Sequence, residues 1–166
     1  DPIHRNALMR MQSLDRDNLF MGLAIELARA AYDNDEVPVG AVIVQTRNNE
    51  VISAFSNQMR KQRSSIAHAE MLAIQKANKI INNERLIGCE MFVSLEPCPM
   101  CAHAISISRL DTLYFAAEDP KGGGVINGPK IFESSSCHHK PEVKYGLMAD
   151  ESSKLLRSFF QSKRLK

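Results

Sequence analysis

Between residues 17 and 32, apolar positions return every three or four residues, at Phe20, Leu23, Ala24, Leu27, Ala28 and Ala31. That period belongs to a helix with one buried face, and it predicts that this stripe is core. Residues 1–13 show no clear period; they are given no function and read as a leader or processing remnant. Beyond the helix the pattern changes. Residues 39–44 and 51–55 are short β-branched or aromatic runs on either side of the polar Thr46-Arg47-Asn48-Asn49, the pattern of an antiparallel hairpin. A helix over about 69–78, a strand over 91–95, a second helix over about 99–108 and a strand over 112–116 follow. Residues 119–141 hold Gly122-Gly123-Gly124 and Asn127-Gly128-Pro129, a long irregular insertion of the functional or mobile kind. No G-K-[ST] follows the glycines, which excludes a phosphate-cradling loop. A short strand at 143–145 and a helix from about Asp150 complete the pattern, with Leu155, Leu156, Phe159 and Phe160 on one apolar stripe.

Strands alternating with helices of this length imply parallel pairings, and the opening hairpin makes the sheet mixed. The expected fold is α/β: a three-layer α/β/α sandwich around a five-stranded mixed sheet, in a single domain spanning 1–166 without repeat or linker. A chain of 166 residues that is 44% hydrophobic and 24% charged suits one such domain and needs no staple to fold. No apolar stretch approaches the roughly 20 residues of a membrane span. With no secretory leader pattern either, a cytoplasmic protein with no membrane partner is expected. Four cysteines in such a setting argue against a disulfide framework, and Cys89 reads as a buried free thiol. The net charge of +2 matters less than its distribution. Arg60, Lys61 and Arg63 form one basic cluster, and Lys154, Arg157, Lys163, Arg164 and Lys166 load the C-terminal end. These clusters fit a solvated surface or a nucleic-acid footprint equally well.

The chemistry concentrates in two short motifs, His68-Ala69-Glu70 and Pro97-Cys98-Pro99-Met100-Cys101. Cysteines three apart at a helix start share a face, so one metal can take both sulfurs, and the helix N-terminus favours thiolate. His68 adds a ring nitrogen from the neighbouring helix start. Three protein ligands with an open position mark a catalytic zinc, one per chain. A closed, structural zinc with Cys89, His103, Cys137, His138 or His139 as fourth ligand is the competing reading. Glu70 stands two residues after His68, beside the position of a metal-activated water, and can carry a proton; alone it would read as a solvated helix-start carboxylate. H-x-E with P-C-x-x-C is the pattern of zinc nucleobase deaminases.

On these motifs, with Leu95, Glu96 and Ala102 extending the second, the chain resembles the cytidine deaminase-like superfamily, and within it the bacterial-type tRNA-specific adenosine deaminases. The likeness spans about 17–164 and includes Glu36-Val37-Pro38-Val39-Gly40-Ala41, Asn57, residues 116–121 and Gly146-Leu147-Met148-Ala149-Asp150-Glu151. The resemblance implies a cytidine deaminase-like fold, one zinc per subunit of a homodimer, and a tRNA anticodon stem-loop as partner. It implies hydrolysis of the wobble adenosine to inosine at C6, with Glu70 passing a proton to the ring nitrogen and then to departing ammonia. It also implies that Asn57 meets the base edge, that Val39, Leu95 and Pro97 wall the pocket, and that Asp119 and Lys121 face the ribose and backbone. Taken alone, the same residues read as a strand-end turn, core, a helix start and loop surface. Ser64 and Ser65 depart from the pattern, standing where many relatives carry Asp-Pro. Two other functions stay open: a deaminase of a free base or nucleotide such as guanine, cytosine or deoxycytidylate, and a non-catalytic zinc-binding subunit, against which Glu70 argues.

Overall fold

The computed structural model describes residues 2–164; Asp1 and Lys166, each at the edge of a segment singled out above, lie outside the described residues. The elements run α1 (Pro2–Asp33), β1 (Gly40–Gln45), β2 (Glu50–Ser56), α2 (Ala69–Ile81), β3 (Cys89–Leu95), α3 (Pro99–Ile107), β4 (Thr112–Ala117), β5 (Glu142–Tyr145) and α4 (Ala149–Arg164). A 3-10 turn at Ile131–Glu133 interrupts the long loop before β5. Strand order is β2-β1-β3-β4-β5, with β1 antiparallel to both β2 and β3, and β3–β4 and β4–β5 parallel. The five-stranded mixed sheet read from the pattern is the one observed.

Alternation along the strands assigns each side chain to a layer. Val42, Val44, Phe92, Tyr114 and Ala116 meet Phe20, Met21, Ala24 and Ile25 of α1. Ala41, Ile43, Met91, Val93, Leu113 and Phe115 belong to the other cluster, with Ala73 and Ala77 of α2 and Ala102 and Ile105 of α3. β1, β3 and β4 are therefore buried on both sides, which is why they read as near-continuous apolar runs. Cys89 opens β3 with a buried free thiol, and burial pushes that thiol up to about 11.

Two features depart from the pattern. The aperiodic N-terminal segment is helical: α1 begins at Pro2, although burial starts only at Phe20. Leu8, Met9, Met11 and Leu14 are exposed, so no core selects their spacing, while helix extension from an already packed half needs no new nucleus. The apolar stripe of α4 also divides. Leu155 packs on the α1 cluster and Phe159 meets Tyr32 edge-on at 5.8 Å, whereas Phe160 is 45% exposed. Among the described residues no helix is long and apolar enough to cross a membrane.

Candidate active site

The N-termini of α2 and α3 and the carboxyl ends of β3 and β4 converge at one end of the sheet, where ligands of open α/β sheets commonly sit. α2 starts at Ala69 with extended His68 before it, and His68 makes no side-chain cap. The cap comes from a distance: Asn57, just past β2, accepts the Ala69 amide at 2.7 Å, while its own amide donates to Val39 O at 3.1 Å. α3 starts the same way, with extended Cys98 before Pro99 at the first helical position. The Ser64-Ser65 segment is held by backbone bonds instead of a proline: Ser64 N to Met59 O at 2.9 Å, Gln58 N to Ala67 O at 3.1 Å and Ala67 N to Ser64 O at 3.2 Å.

These starts bring three ligand atoms together. His68 Nδ1 lies 3.7 Å from Cys98 Sγ and 3.5 Å from Cys101 Sγ, and all three atoms lie within 4.8 Å of one another. A tetrahedral zinc at about 2.3 Å from sulfur and about 2.0–2.1 Å from nitrogen holds such atoms roughly 3.5 Å apart, so the trio fits the ion. Among the described residues this is the group of three or more such side chains close enough to hold a metal. Of the alternatives for a closed site, none joins this group, and Cys137 and His139 are engaged elsewhere. Cys137 and the His139 carbonyl bond to Ser106, on the last turn of α3, and His139 Nε2 meets the Leu110 carbonyl at 2.7 Å. The thiols share their proton unequally: Cys101 donates to Cys98 and, with His68, holds Cys98 down at about 4 against its burial. The same bond to Cys98, with burial and Glu70, pushes Cys101 upward. His68 is raised, chiefly by its bond to Cys98.

Glu70 is 4% exposed, and burial pushes its carboxyl up to about 7, with its own backbone amide and His68 pulling the other way. A carboxyl poised near neutrality can both take and return a proton. Glu70, His68 and Cys98 line a cavity of about 230 Å³, with Val37, Val39 and Leu95 as apolar walls and Asn57 and Asp119 as polar ones. It falls below the roughly 300–1,000 Å³ of drug-sized sites, which suits a single base. A larger concavity of about 780 Å³ lies beside it at Leu27, Ser56 and Gln58, sharing Asn57 but no ligand atom of the trio.

The structure thus gathers His68, Glu70, Cys98, Asn57, Val39, Leu95 and Asp119 around one cavity. Pro97 is buried beside it and Lys121 is exposed, its amide donating to Asp119 Oδ1 at 3.3 Å; neither side chain lines it. Sequence reasoning missed Val37, Met59, Glu96 and Gly122 as lining residues. Val37 lies within a matching stretch and Glu96 within the cysteine motif, so position offered a signal for both; Met59 offered none. Of the basic clusters, Arg60 and Lys163 both pair with Asp35, whereas Arg157 and Arg164 flank a groove that continues from the cavity past Phe160.

The domain is of the zinc-binding deaminase class: the model of the cytidine and deoxycytidylate deaminase zinc-binding region matches residues 14–117. A tRNA-specific adenosine deaminase of Agrobacterium fabrum is 47% identical over 88% of this chain and 95% of that protein. Its counterpart in Bacillus subtilis is 40% identical over 92% of this chain and 94% of its own length. A solved tRNA:A34 deaminase superposes with a TM-score of 0.80 at 45% identity, covering 82% of this chain and 98% of that one. The chain belongs to the tRNA-specific adenosine deaminase family. A guanine deaminase from Nitrosomonas europaea shares the fold at TM-score 0.74 and 27% identity, covering 86% of this chain and 83% of that one.

Proposed function

We propose that this protein hydrolyses the wobble adenosine of a tRNA anticodon to inosine, acting on the anticodon stem-loop as a homodimer in the cytoplasm. The observation that carries the reading is the buried Glu70 carboxyl beside the His68, Cys98 and Cys101 trio, in a cavity sized for one base. His68, Cys98 and Cys101 hold one zinc per subunit, and 166 residues form one deaminase domain around it. Zinc bound there supplies Lewis acidity and brings the pKa of a water toward neutrality.

This chain's own side chains do the rest. Glu70 takes the proton of the attacking water, delivers it to the ring nitrogen, and returns one to the amino group that leaves as ammonia; water and adenosine become inosine and ammonia. Asn57, fixed by the Ala69 amide, presents its carboxamide to the base edge. Val39 and Leu95 exclude water from the base faces, with Pro97 supporting the wall from behind. Asp119 meets the ribose at the cavity mouth, and exposed Lys121 serves the RNA backbone. Arg157, Arg164 and the exposed Phe160 supply charge and a stacking surface along the groove that leads away.

A free purine is the second reading, favoured by the fold shared with the guanine deaminase. Competition separates the two. With wobble-adenosine stem-loop and guanine offered together, inosine should form while guanine persists, and the stem-loop affinity should fall steeply with salt. Consumption of guanine with an untouched stem-loop would overturn the RNA reading.

A further inference from the structure

A second buried carboxylate borders the cavity and has no part in the proton transfers. Glu96 follows β3, precedes Pro97-Cys98 and is 2% exposed. Its Oε1 accepts the Asp119 amide at 3.0 Å and the Asn127 side-chain amide at 2.7 Å. Its Oε2 accepts the backbone amides of Val125 at 3.0 Å, Ile126 at 2.9 Å and Asn127 at 3.1 Å. A buried carboxylate is costly unless hydrogen-bonded, and here five N–H donors, four of them backbone, converge on one group. The irregular loop from Asp119 to Asn127 is therefore wrapped around a single anion.

The glycines show how tightly. A Cβ on Gly123 would stand 2.4 Å from Glu96 Cδ, and one on Gly124 would stand 2.6 Å from Pro99 N and 2.9 Å from the Cys98 carbonyl carbon. Gly124 N also donates to Pro97 O at 2.8 Å. The loop thus rests on Glu96 and on the start of α3 at once, and its first residues, Asp119 and Gly122, line the cavity.

We infer that Glu96 is a positioning residue whose buried carboxylate fixes the 119–127 loop as a wall of the substrate pocket, setting substrate capture rather than the chemical step. The inference rests on the cavity being the nucleobase pocket proposed above. Because the loop supplies Asp119 and neither a metal ligand nor the proton carrier, loosening it should act on KM before kcat. Glu96→Gln keeps the shape but sets an NH₂ group against at least two of the five donors.

Amide hydrogen exchange and steady-state kinetics on the zinc-loaded wild type and Glu96→Gln test this. The variant should keep its zinc and the protection of β3 and β4, while the amides of Asp119, Val125, Ile126 and Asn127 exchange at least about ten-fold faster. KM for the stem-loop should rise about ten-fold or more, with kcat changed less than about three-fold. Unchanged exchange at those four amides, or a fall in kcat at constant KM, would overturn the inference. Should Glu96→Gln not fold, Asn127→Ala decides, since it removes one donor only: faster exchange at Asp119, Val125 and Ile126 supports the role, and unchanged exchange rejects it. Exchange needs no substrate, so a wild type inactive on the stem-loop would defeat the proposed function while the loop result still reads Glu96.

Discussion

Asn57 serves two elements at once, and its two duties separate by measurement. Its side-chain oxygen closes the start of α2 by accepting the Ala69 amide at 2.7 Å, and the same side chain borders the cavity. Asn57→Ala strands a buried amide, which costs about 1–3 kcal/mol. Denaturant unfolding should report that loss in the metal-free protein, and KM for RNA should rise as well. An unchanged unfolding midpoint would deny Asn57 its capping role. The grouping of His68, Cys98 and Cys101 was legible from residue type and spacing, because few side chains suit a metal and Pro99 marks the start of α3. The anchoring role of Glu96 and the capping role of Asn57 were not legible. A carboxylate bonded to amides 23–31 residues away, or an asparagine capping a helix 12 residues on, leaves no periodic or local trace.

Among elements, α1 lies directly against the start of β1. A Cβ on Gly40 would lie 2.1 Å from Ala24 O and 2.5 Å from Leu27 Cβ, so Gly40→Ala must push α1 off the strand that carries Ala41 to Val44. Overpacking of this kind costs about 1–3 kcal/mol or more, and thermal unfolding should show a clearly lowered Tm; an unchanged Tm would mean that helix and strand approach less closely. Strands and helices were legible within a few residues because their burial imposes periods of two and of three to four. β1, β3 and β4, covered on both sides, show instead as short apolar runs. The first half of α1 escaped for the opposite reason: its exposed Leu8, Met9, Met11 and Leu14 face no partner that would impose a period.

Across the whole molecule, a zinc held by His68, Cys98 and Cys101 would tie together the starts of α2 and α3, which already meet through the contacts of His68 to the two thiols. Binding at such a site is linked to folding, and the ligands bind deprotonated. Cys98 is already held down at about 4, but Cys101 is pushed up, so its proton must leave when the ion enters. The sign follows: protons compete with zinc, and affinity falls as pH falls. A chelator should therefore strip the ion more readily at pH 6 than at pH 8, and the stripped protein should melt at lower temperature. Equal retention at both values, with equal Tm before and after stripping, would contradict ligation by this pair.

The role of Glu70 as proton carrier in the proposed RNA deamination rests on its burial beside the ligand trio. It is tested most directly by measuring inosine formation on an anticodon stem-loop with adenosine at the wobble position, for wild type and Glu70→Ala at equal zinc content. The wild type should convert the base, and the variant should keep metal and fold while losing about 10²–10⁴-fold in rate. Wild-type turnover in Glu70→Ala would remove Glu70 from the chemistry; no conversion by the zinc-loaded wild type would contradict the RNA deaminase itself.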